Sequence, residues 1–481
     1  MVLHDAGAKM LKLFLWLRYL RKRKIVFLSI AAVALSVSLL VVVASLFTGF
    51  INAYEQIAVE FLGDMVFEPP TKFSKYPVFI ERLEKLDAVQ TAAPTLSAQG
   101  ILYLGKGNVR AVQIQGIDLA RTIKVTGLGG SLLKQKDSSV EASFAVPGHP
   151  EATGCFVGIA TVKEPDEETD EYDFSAAQEM LGQQVVLTTG SVAEQAEASP
   201  DDLSSAKAEF KRRTMKLAVA DIVFTGFYDL DKGYAFVPID ALQTTLYPDQ
   251  SEALAEMIQI KLTAGTDVES ARAQILGVWA GFVDDHLKGD PYLKNYAAVE
   301  TAVEMQSRYT AEVRKQMGLL LVIFGVVSTS VVVLVFCIFY MIVTTKRRDI
   351  AIIKSCGTPS ASVGWIFVGF GVCVGVIGSG IGSVLAYLIM RNINTIEGWI
   401  RIIFGLKLWK SSIYMFAKIP SELDWYATLW SIHLKLYGWQ FGIKFKVYDI
   451  LWLAIVAAGI GALIPAILAA RTKPVDILRY E

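Results

Sequence analysis

Histidines, cysteines and clustered carboxylates are the side chains here that could run chemistry, and their spacing assembles no recognisable site. The four histidines, His4, His149, His286 and His433, are scattered. Asp284, Asp285 and His286 are adjacent; neighbours on one strand or helix do not converge on one metal ion, so a polar turn is the better reading. The four cysteines are Cys155, Cys337, Cys356 and Cys373. Three lie in or beside apolar runs and Cys155 stands apart, so no disulfide framework is available and the thiols read as packing residues. GFGVCVG at 369–375 has the outline of a nucleotide loop, but it is embedded in an apolar run with no strand before it. No GxxxxGK[ST] occurs, so the chain has no phosphate cradle of that kind. The expectation is a chain that is not an enzyme and holds no metal or cofactor of its own.

The chemistry that remains is that of docking. KRRDIAIIKSCGTP, residues 346–359, lies between two long apolar stretches. Arg347, Arg348, Asp349 and Lys354 offer polar contacts, while Ile350, Ala351, Ile352 and Ile353 form a short apolar set among them.

The elements that must position this stretch are membrane spans. The chain is 53% hydrophobic with a mean hydropathy of +0.43, too apolar for an ordinary soluble protein. About 20 residues cross a bilayer. Four uncharged, strongly apolar runs qualify: 25–54, 316–345, 355–390 and 450–470. The run 88–105 is also uncharged, but its Gln, Thr and Ser mark it as strand and turn. Arg18, Arg21, Lys22, Arg23 and Lys24 precede the first span; Lys346, Arg347, Arg348 and Lys354 separate the second from the third; Arg471, Lys473 and Arg479 follow the fourth. Basic residues in short loops mark the cytoplasmic side. All three clusters then place both termini inside and residues 55–315 outside. The segment 391–449 must be outside too, although its eight Lys or Arg outnumber its four acids. The first apolar run has 30 residues, well beyond the ~7–15 of a signal peptide, so a retained anchor is expected rather than a cleaved leader. Charges are almost absent from the span centres, so no proton relay or ion path is evident.

The expected fold class is a multi-pass α-helical membrane protein with four transmembrane helices in a one-plus-three order. A large α+β extracytoplasmic domain lies between the first and second. The division is 1–24, a basic and aromatic interfacial helix; 25–54, the first span; 55–315, the outside domain; 316–345, the second span; 346–359, a cytoplasmic loop or helix; 360–390, the third span; 391–449, an outside loop carrying five of the nine tryptophans; 450–470, the fourth span; and 471–481, a cytoplasmic tail. VRAVQIQGID (109–118), QQVVLTT (183–189) and the start of LAVADIVFTGFYDL (217–230) have the alternation or β-branching of strands. The helical period of 299–316 runs unbroken into the second span and predicts one continuous helix. Its uncharged part alone covers about 45 Å against ~30 Å of hydrocarbon, which predicts a rigid stalk. Two polar stretches, 163–173 and 191–213, read as solvated surface loops, with a docking patch for a basic partner as the sharper alternative. The Trp-rich segment 391–449 is expected to be folded and to lie at the membrane interface. Gly371/Gly375 and Gly378/Gly382 each make a GxxxG spacing, so the third span is expected to pack closely on protein.

At this point the loop becomes recognisable. The chain resembles the lipoprotein-releasing ABC transporter permeases, within the wider FtsX-like and MacB-like superfamily. LRYLRKRK (17–24), QIQGID (113–118), YAFVPIDALQTTLY (234–247), KRRDIAIIKSCGTP (346–359), IPSELDW (419–425) and IPAILAARTKPVDILRYE (464–481) carry the resemblance, in order along nearly the whole chain. It implies a permease in the bacterial inner membrane above a separate cytoplasmic P-loop ATPase dimer, which binds ATP and Mg. A second permease chain, identical or paralogous, completes the pair. The loop becomes a coupling helix: Arg347, Arg348, Asp349 and Lys354 make polar contacts with the ATPase, Ile350, Ile352 and Ile353 form the apolar face, and Gly357 ends the helix. Membrane lipids surround the spans, lipoprotein is the cargo and a periplasmic carrier receives it; nucleic acid is not expected. Phe47, Phe50, Ile57, Met317 and Leu320 are candidates for a lateral substrate path, with lipid-facing or packing roles as the alternative. The neighbouring readings are macrolide or peptide export and FtsX-like control of a cell-wall hydrolase. Insertions at 163–173, 191–213 and 426–449 depart from the family pattern.

Overall fold

In a computed structural model the chain is described over residues 24–105, 107–136, 142–146, 151–192, 210–355, 357–420, 423, 428–436, 439–446 and 448–471. The interfacial helix expected at 1–24 therefore lies outside the described residues except for Lys24, as do Lys473 and Arg479 of the tail. The chain divides into two compact units: residues 1–52, 309–399 and 419–481 in one, and 53–308 with 400–418 in the other.

Among the described residues, four helices are long and apolar enough to cross a membrane. They are α1 (Lys24–Leu62), α4 (Ser307–Thr345), α6 (Ser360–Arg391) and α8 (Asp449–Arg471). The buried apolar residues of α1 include Val26, Ile30, Val33, Val37, Val41 and Ala44, a stripe at steps of three and four that marks one helix face. Val335, Phe339 and Ile342 of α4, Phe367, Phe370 and Val374 of α6, and Ala462 and Ala466 of α8 share this core. Phe339 and Phe370 meet with ring centroids 5.4 Å apart. Between α4 and α6 lies the short helix α5 (Arg347–Ser355), and α7 (Ile393–Phe404) follows α6 after the single residue Asn392.

The second unit is α+β. Its main strands are β1 at Met65–Glu68, β3 at Val89–Tyr103, β4 at Val109–Ile117, β5 at Gly154–Gly158, β6 at Gln184–Val192, β7 at Phe210–Val223, β8 at Tyr234–Pro238, β10 at Met257–Leu262 and β11 at Ala298–Thr301. These form one nine-stranded sheet in the order β11-β1-β10-β3-β4-β8-β5-β7-β6. A small pair, β2 (Phe73–Ser74) with β9 (Leu254–Ala255), lies apart. β3 is long enough to serve three partners: its first half pairs with β10, its second with β4, and Gly100 to Tyr103 also pair with β6. That last pairing closes β3, β4, β8, β5, β7 and β6 into a ring. Gly100 permits it, since a Cβ there would stand 2.7 Å from the Thr188 carbonyl oxygen. Leu96, Leu102, Ile114, Val157, Leu187 and Val237 fill the ring. A second core lies under helices α2 (Tyr76–Leu83) and α3 (Val268–His286), where Trp279 packs among Phe67, Phe73, Phe79 and Phe282 and donates its indole N–H to Leu293 O at 2.8 Å.

One expectation needs correction. The helix leading into the second apolar run does not begin at 299. Ala298–Thr301 is strand β11, paired with β1; Ala302–Met305 is one short helical turn; and α4 starts at Ser307. Thr301 and Glu304 form a reciprocal capping box, and this fixes a helix start where the apolar period alone reads straight through. The segment 391–449 is folded over its described residues. It holds α7, a short helix at Ser411–Tyr414, and an antiparallel hairpin of β12 (Thr428–Leu436) and β13 (Trp439–Lys446), and residues 400–418 fold with the α+β unit.

Candidate functional site

The short helix α5 is built from its own charges. Asp349 lies in its first turn and Lys354 in its last, the placement that complements the helix dipole. Lys346 pairs with Asp349. Gly357 has φ +92°, a left-handed conformation that ends a helix at little cost in glycine and at a real cost elsewhere.

The residues singled out on this loop divide into two sets. Ile350 and Ala351 are buried against the helix bundle, and Lys354 donates from Nζ to Ala470 O at 2.8 Å, in the last turn of α8. Arg347 and Arg348 are exposed, Asp349 is half-buried, and Ile352 and Ile353 are 48% and 37% exposed. One face thus ties α5 to the bundle. The other presents two guanidinium groups and two isoleucine side chains outward.

The glycines of α6 divide in the same way. A Cβ on Gly371 would lie 2.5 Å from Ala462 Cβ, and one on Gly375 2.9 Å from Ile455 Cα, both on α8. A Cβ on Gly378 would meet Val33 at 2.8 Å, and one on Gly382 the Ala34 carbonyl oxygen at 2.6 Å, both on α1. Each GxxxG pair therefore seats a different helix. The step of three between Gly375 and Gly378 falls short of a full turn and moves the small face from one neighbour towards the other.

The residues considered for a substrate path are not gathered into one cavity. Phe47, Phe50 and Ile57 are half-buried on α1, Leu320 is half-buried on α4, and Met317 is 3% exposed. Between α1, α4 and α8 there is instead an apolar niche of about 50 Å³, bordered by Val33, Leu40, Val331 and Ala454. In the α+β unit a larger groove of about 1080 Å³ runs over the ring strands, lined by Gln99, Ile101, Tyr103, Gln113, Thr188 and Arg212. The alternation of Gln99, Ile101 and Tyr103 with buried Leu102 was the sequence signal for its outward-facing row.

Sequence reasoning missed one site. The acidic stretch 163–173 is not simply a solvated loop. Asp170, at φ 55°, is buried, and its carboxylate accepts hydrogen bonds from Ser411 N at 2.8 Å and Ser411 Oγ at 2.9 Å. Lys407 Nζ stands 3.5 Å from the same carboxylate. Arg401 and Lys407 also donate to Thr169 O. Next to this, Ala417 N donates to Gly226 O at 3.1 Å and Tyr228 N to Met415 O at 2.7 Å, while Phe227 and Phe416 meet edge to face. Residues 400–418 are therefore clasped to the α+β unit at two points, each within that unit. Positive φ is tolerated best by Gly, Asn and Asp, so an aspartate at position 170 suits both the backbone and the charge pair.

The loop that receives Phe416 is held from below by Asp231. Its buried carboxylate accepts from Thr225 N, Thr225 Oγ and Gly226 N at 2.7, 2.9 and 3.1 Å. Burial outweighs these donors and pushes the carboxyl up to about 7. In the unfolded chain it titrates near ~3.9. As pH rises, the unfolded state loses the proton first, so this group's contribution is fully present below about 4 and declines until pH passes about 7. The expected result is that stability falls from pH 4 to pH 7 by on the order of 4 kcal/mol from this residue. Thermal unfolding of the detergent-solubilised chain checks it: Asp231→Asn should flatten that part of the profile, and an unchanged profile would refute the assignment.

No family model matches the chain. Among curated proteins it is similar to the lipoprotein-releasing system transmembrane protein LolC of Neisseria meningitidis serogroup B, 24% identical over 98% of this chain and 99% of that one. LolE of Haemophilus influenzae is 22% identical over 94% and 93%, and LolC of Xylella fastidiosa 27% identical over 56% of each. Among solved structures, the periplasmic region of MacB from Actinobacillus actinomycetemcomitans aligns with a TM-score of 0.30 at 12% identity, covering 52% of this chain and 94% of that one. The extracellular domain of the Gram-positive transporter YknZ aligns with a TM-score of 0.27 at 12% identity, over 50% and 98%. The chain is thus similar from end to end to lipoprotein-releasing transmembrane proteins.

Proposed function

We propose, from that end-to-end similarity, that this chain is the transmembrane permease subunit of an ABC transporter of the lipoprotein-releasing type. It sits in the bacterial inner membrane, with α1, α4, α6 and α8 as its spans. A cytoplasmic P-loop ATPase dimer binds ATP and Mg²⁺ and supplies the work, and a second permease chain completes the complex. The chain hydrolyses nothing itself. It converts ATPase closure into movement of its α+β domain, which lifts lipoprotein from the membrane for a periplasmic carrier. The observation that carries this reading is similarity over nearly the full length of both this chain and its relatives.

Two features support the mechanics. The packing of 400–418 on 53–308 requires both to lie on one side of the bilayer, as two crossings by α4 and α6 between them provide. Helix α5 has an inward face that grips the bundle and an exposed outward face, so a push on Arg347, Arg348, Ile352 and Ile353 reaches α4, α6 and α8 through Ile350, Ala351 and Lys354.

Purification in detergent tests this directly. A P-loop ATPase should co-purify with the native chain. With Arg348→Glu and Ile352→Asp together its yield should fall by at least about tenfold, since each change costs more than ~1.4 kcal/mol at a docked surface. Both positions are exposed, so the fold itself should survive. No ATPase with the native chain would sink the reading.

A further inference from the structure

The clasped segment 400–418 has a second face. Arg401, Lys407 and Ser411 turn toward Thr169 and Asp170. Ile402, Ile403, Phe404, Leu406, Leu408 and Ile413 turn away, each between 57% and 77% exposed. Among the described residues nothing covers them. Soluble domains rarely expose so many large apolar side chains in one short segment, and such a cluster marks a partner.

Three observations identify the partner's chemistry. The patch continues a membrane span along the chain: α6 ends at Arg391, α7 begins at Ile393, and at about 1.5 Å per residue Ile403 is less than ~20 Å along the helix from that end. Side chains exposed on α6 are themselves apolar up to its last turns, including Val384, Leu385 and Leu388. Finally, 391–418 carries Arg391, Arg401, Lys407, Lys410 and Lys418 against the single acid Glu397, the sign that suits anionic headgroups. A soluble partner would account for the apolar face but not for its position directly after a span or for this charge.

We propose that 400–418 is a lipid-binding foot: the α+β unit rests on the bilayer leaflet on its own side through Ile402, Ile403, Phe404, Leu406, Leu408 and Ile413. The foot is fixed to that unit by Asp170 and the loop at 225–228. The α+β unit then grips lipid independently of α1 and α4, where a lipid-anchored substrate would have to leave the leaflet. This rests on the reading of α6 as a span.

The test uses the native full chain in vesicles of phosphatidylethanolamine and phosphatidylglycerol, with a trace of phospholipid bearing a diazirine high on its acyl chain. After illumination, lipid adducts are mapped on tryptic peptides by mass spectrometry. Peptide 402–407 lies between Arg401 and Lys407 and reports the foot; a peptide ending at Arg471 and containing Ile460 of α8 reports a span; 262–272 in the α+β unit reports bulk water. The expected result is adducts on 402–407 at least about ten times above 262–272, as for a side chain seated at the acyl boundary. Adducts on the Ile460 peptide with none on 402–407 would overturn the foot and leave the permease reading standing. Photo-cross-links from a benzophenone side chain placed at Ile403 to a second copy, with no lipid adducts on 402–407, would overturn it in favour of a dimer contact. No adducts on the Ile460 peptide would remove the span reading and the foot with it.

Discussion

Gly371→Leu should leave little monodisperse protein in detergent, while Gly380→Leu on the same helix should be near neutral. The difference is geometric. At Gly371 the Cβ alone would stand 2.5 Å from Ala462 Cβ and 3.1 Å from the Ala458 carbonyl oxygen, whereas at Gly380 no atom lies within 4 Å. Helix association in lipid has little hydrophobic drive and depends on close backbone approach. A leucine at 371 must push α8 away over several turns, and the overpacking costs about 3 kcal/mol or more. Apparent Tm by fluorescence-detected size exclusion would read it. The milder Gly371→Ala allows a sharper check: pairing it with Ala462→Gly removes the main clash, so the double variant should recover most of the loss. Independent, additive losses in the pair would show that α6 and α8 do not touch there.

The same glycines show how far the sequence could be read. Four apolar runs mark the four long helices, because a membrane-length segment needs only composition to declare itself. GxxxG spacing marks α6 as the helix others approach, but not that each pair seats a different neighbour. Val109 to Ile117 and Gln184 to Val192 are strands as alternation and β-branching indicate. The closure of the ring was not legible, since it depends on β3 pairing at its far end with β6, about 85 residues away. The break after 299 is legible: Thr301 and Glu304 have the spacing of a capping box, a local helix-start signal that overrides the helical period running through it. On α5 the charges and the terminal glycine were readable, but the division between Ile350, buried, and Ile352, exposed, needed the bundle.

The clasp was hidden for a different reason. Its partners, Asp170 and Ser411, are 241 residues apart, and an acidic run beside it reads as solvated. Removing it should have the other large effect. In Asp170→Ala, Lys407 loses a partner while its own side chain stays 12% exposed, and Ser411 N and Oγ lose their shared acceptor. Breaking a buried charge pair by deleting one member costs about 3–5 kcal/mol, and the alanine also loses the tolerance for φ 55°. The expected outcome is local: amides 411–417 exchange with deuterium faster by at least about a hundredfold, the factor that ~3 kcal/mol implies, while the second core around Trp279 keeps its protection. Asp170→Asn keeps the backbone conformation and one acceptor, so its effect should be smaller. Ser411→Ala removes a single hydroxyl hydrogen bond and should cost about 1 kcal/mol. The order of severity, Asp170→Ala first, then Asp170→Asn, then Ser411→Ala, follows from charge, backbone and hydrogen bond taken in turn. If Asp170→Ala leaves exchange at 411–417 unchanged, the Asp170 contact does not hold residues 400–418 to the α+β unit.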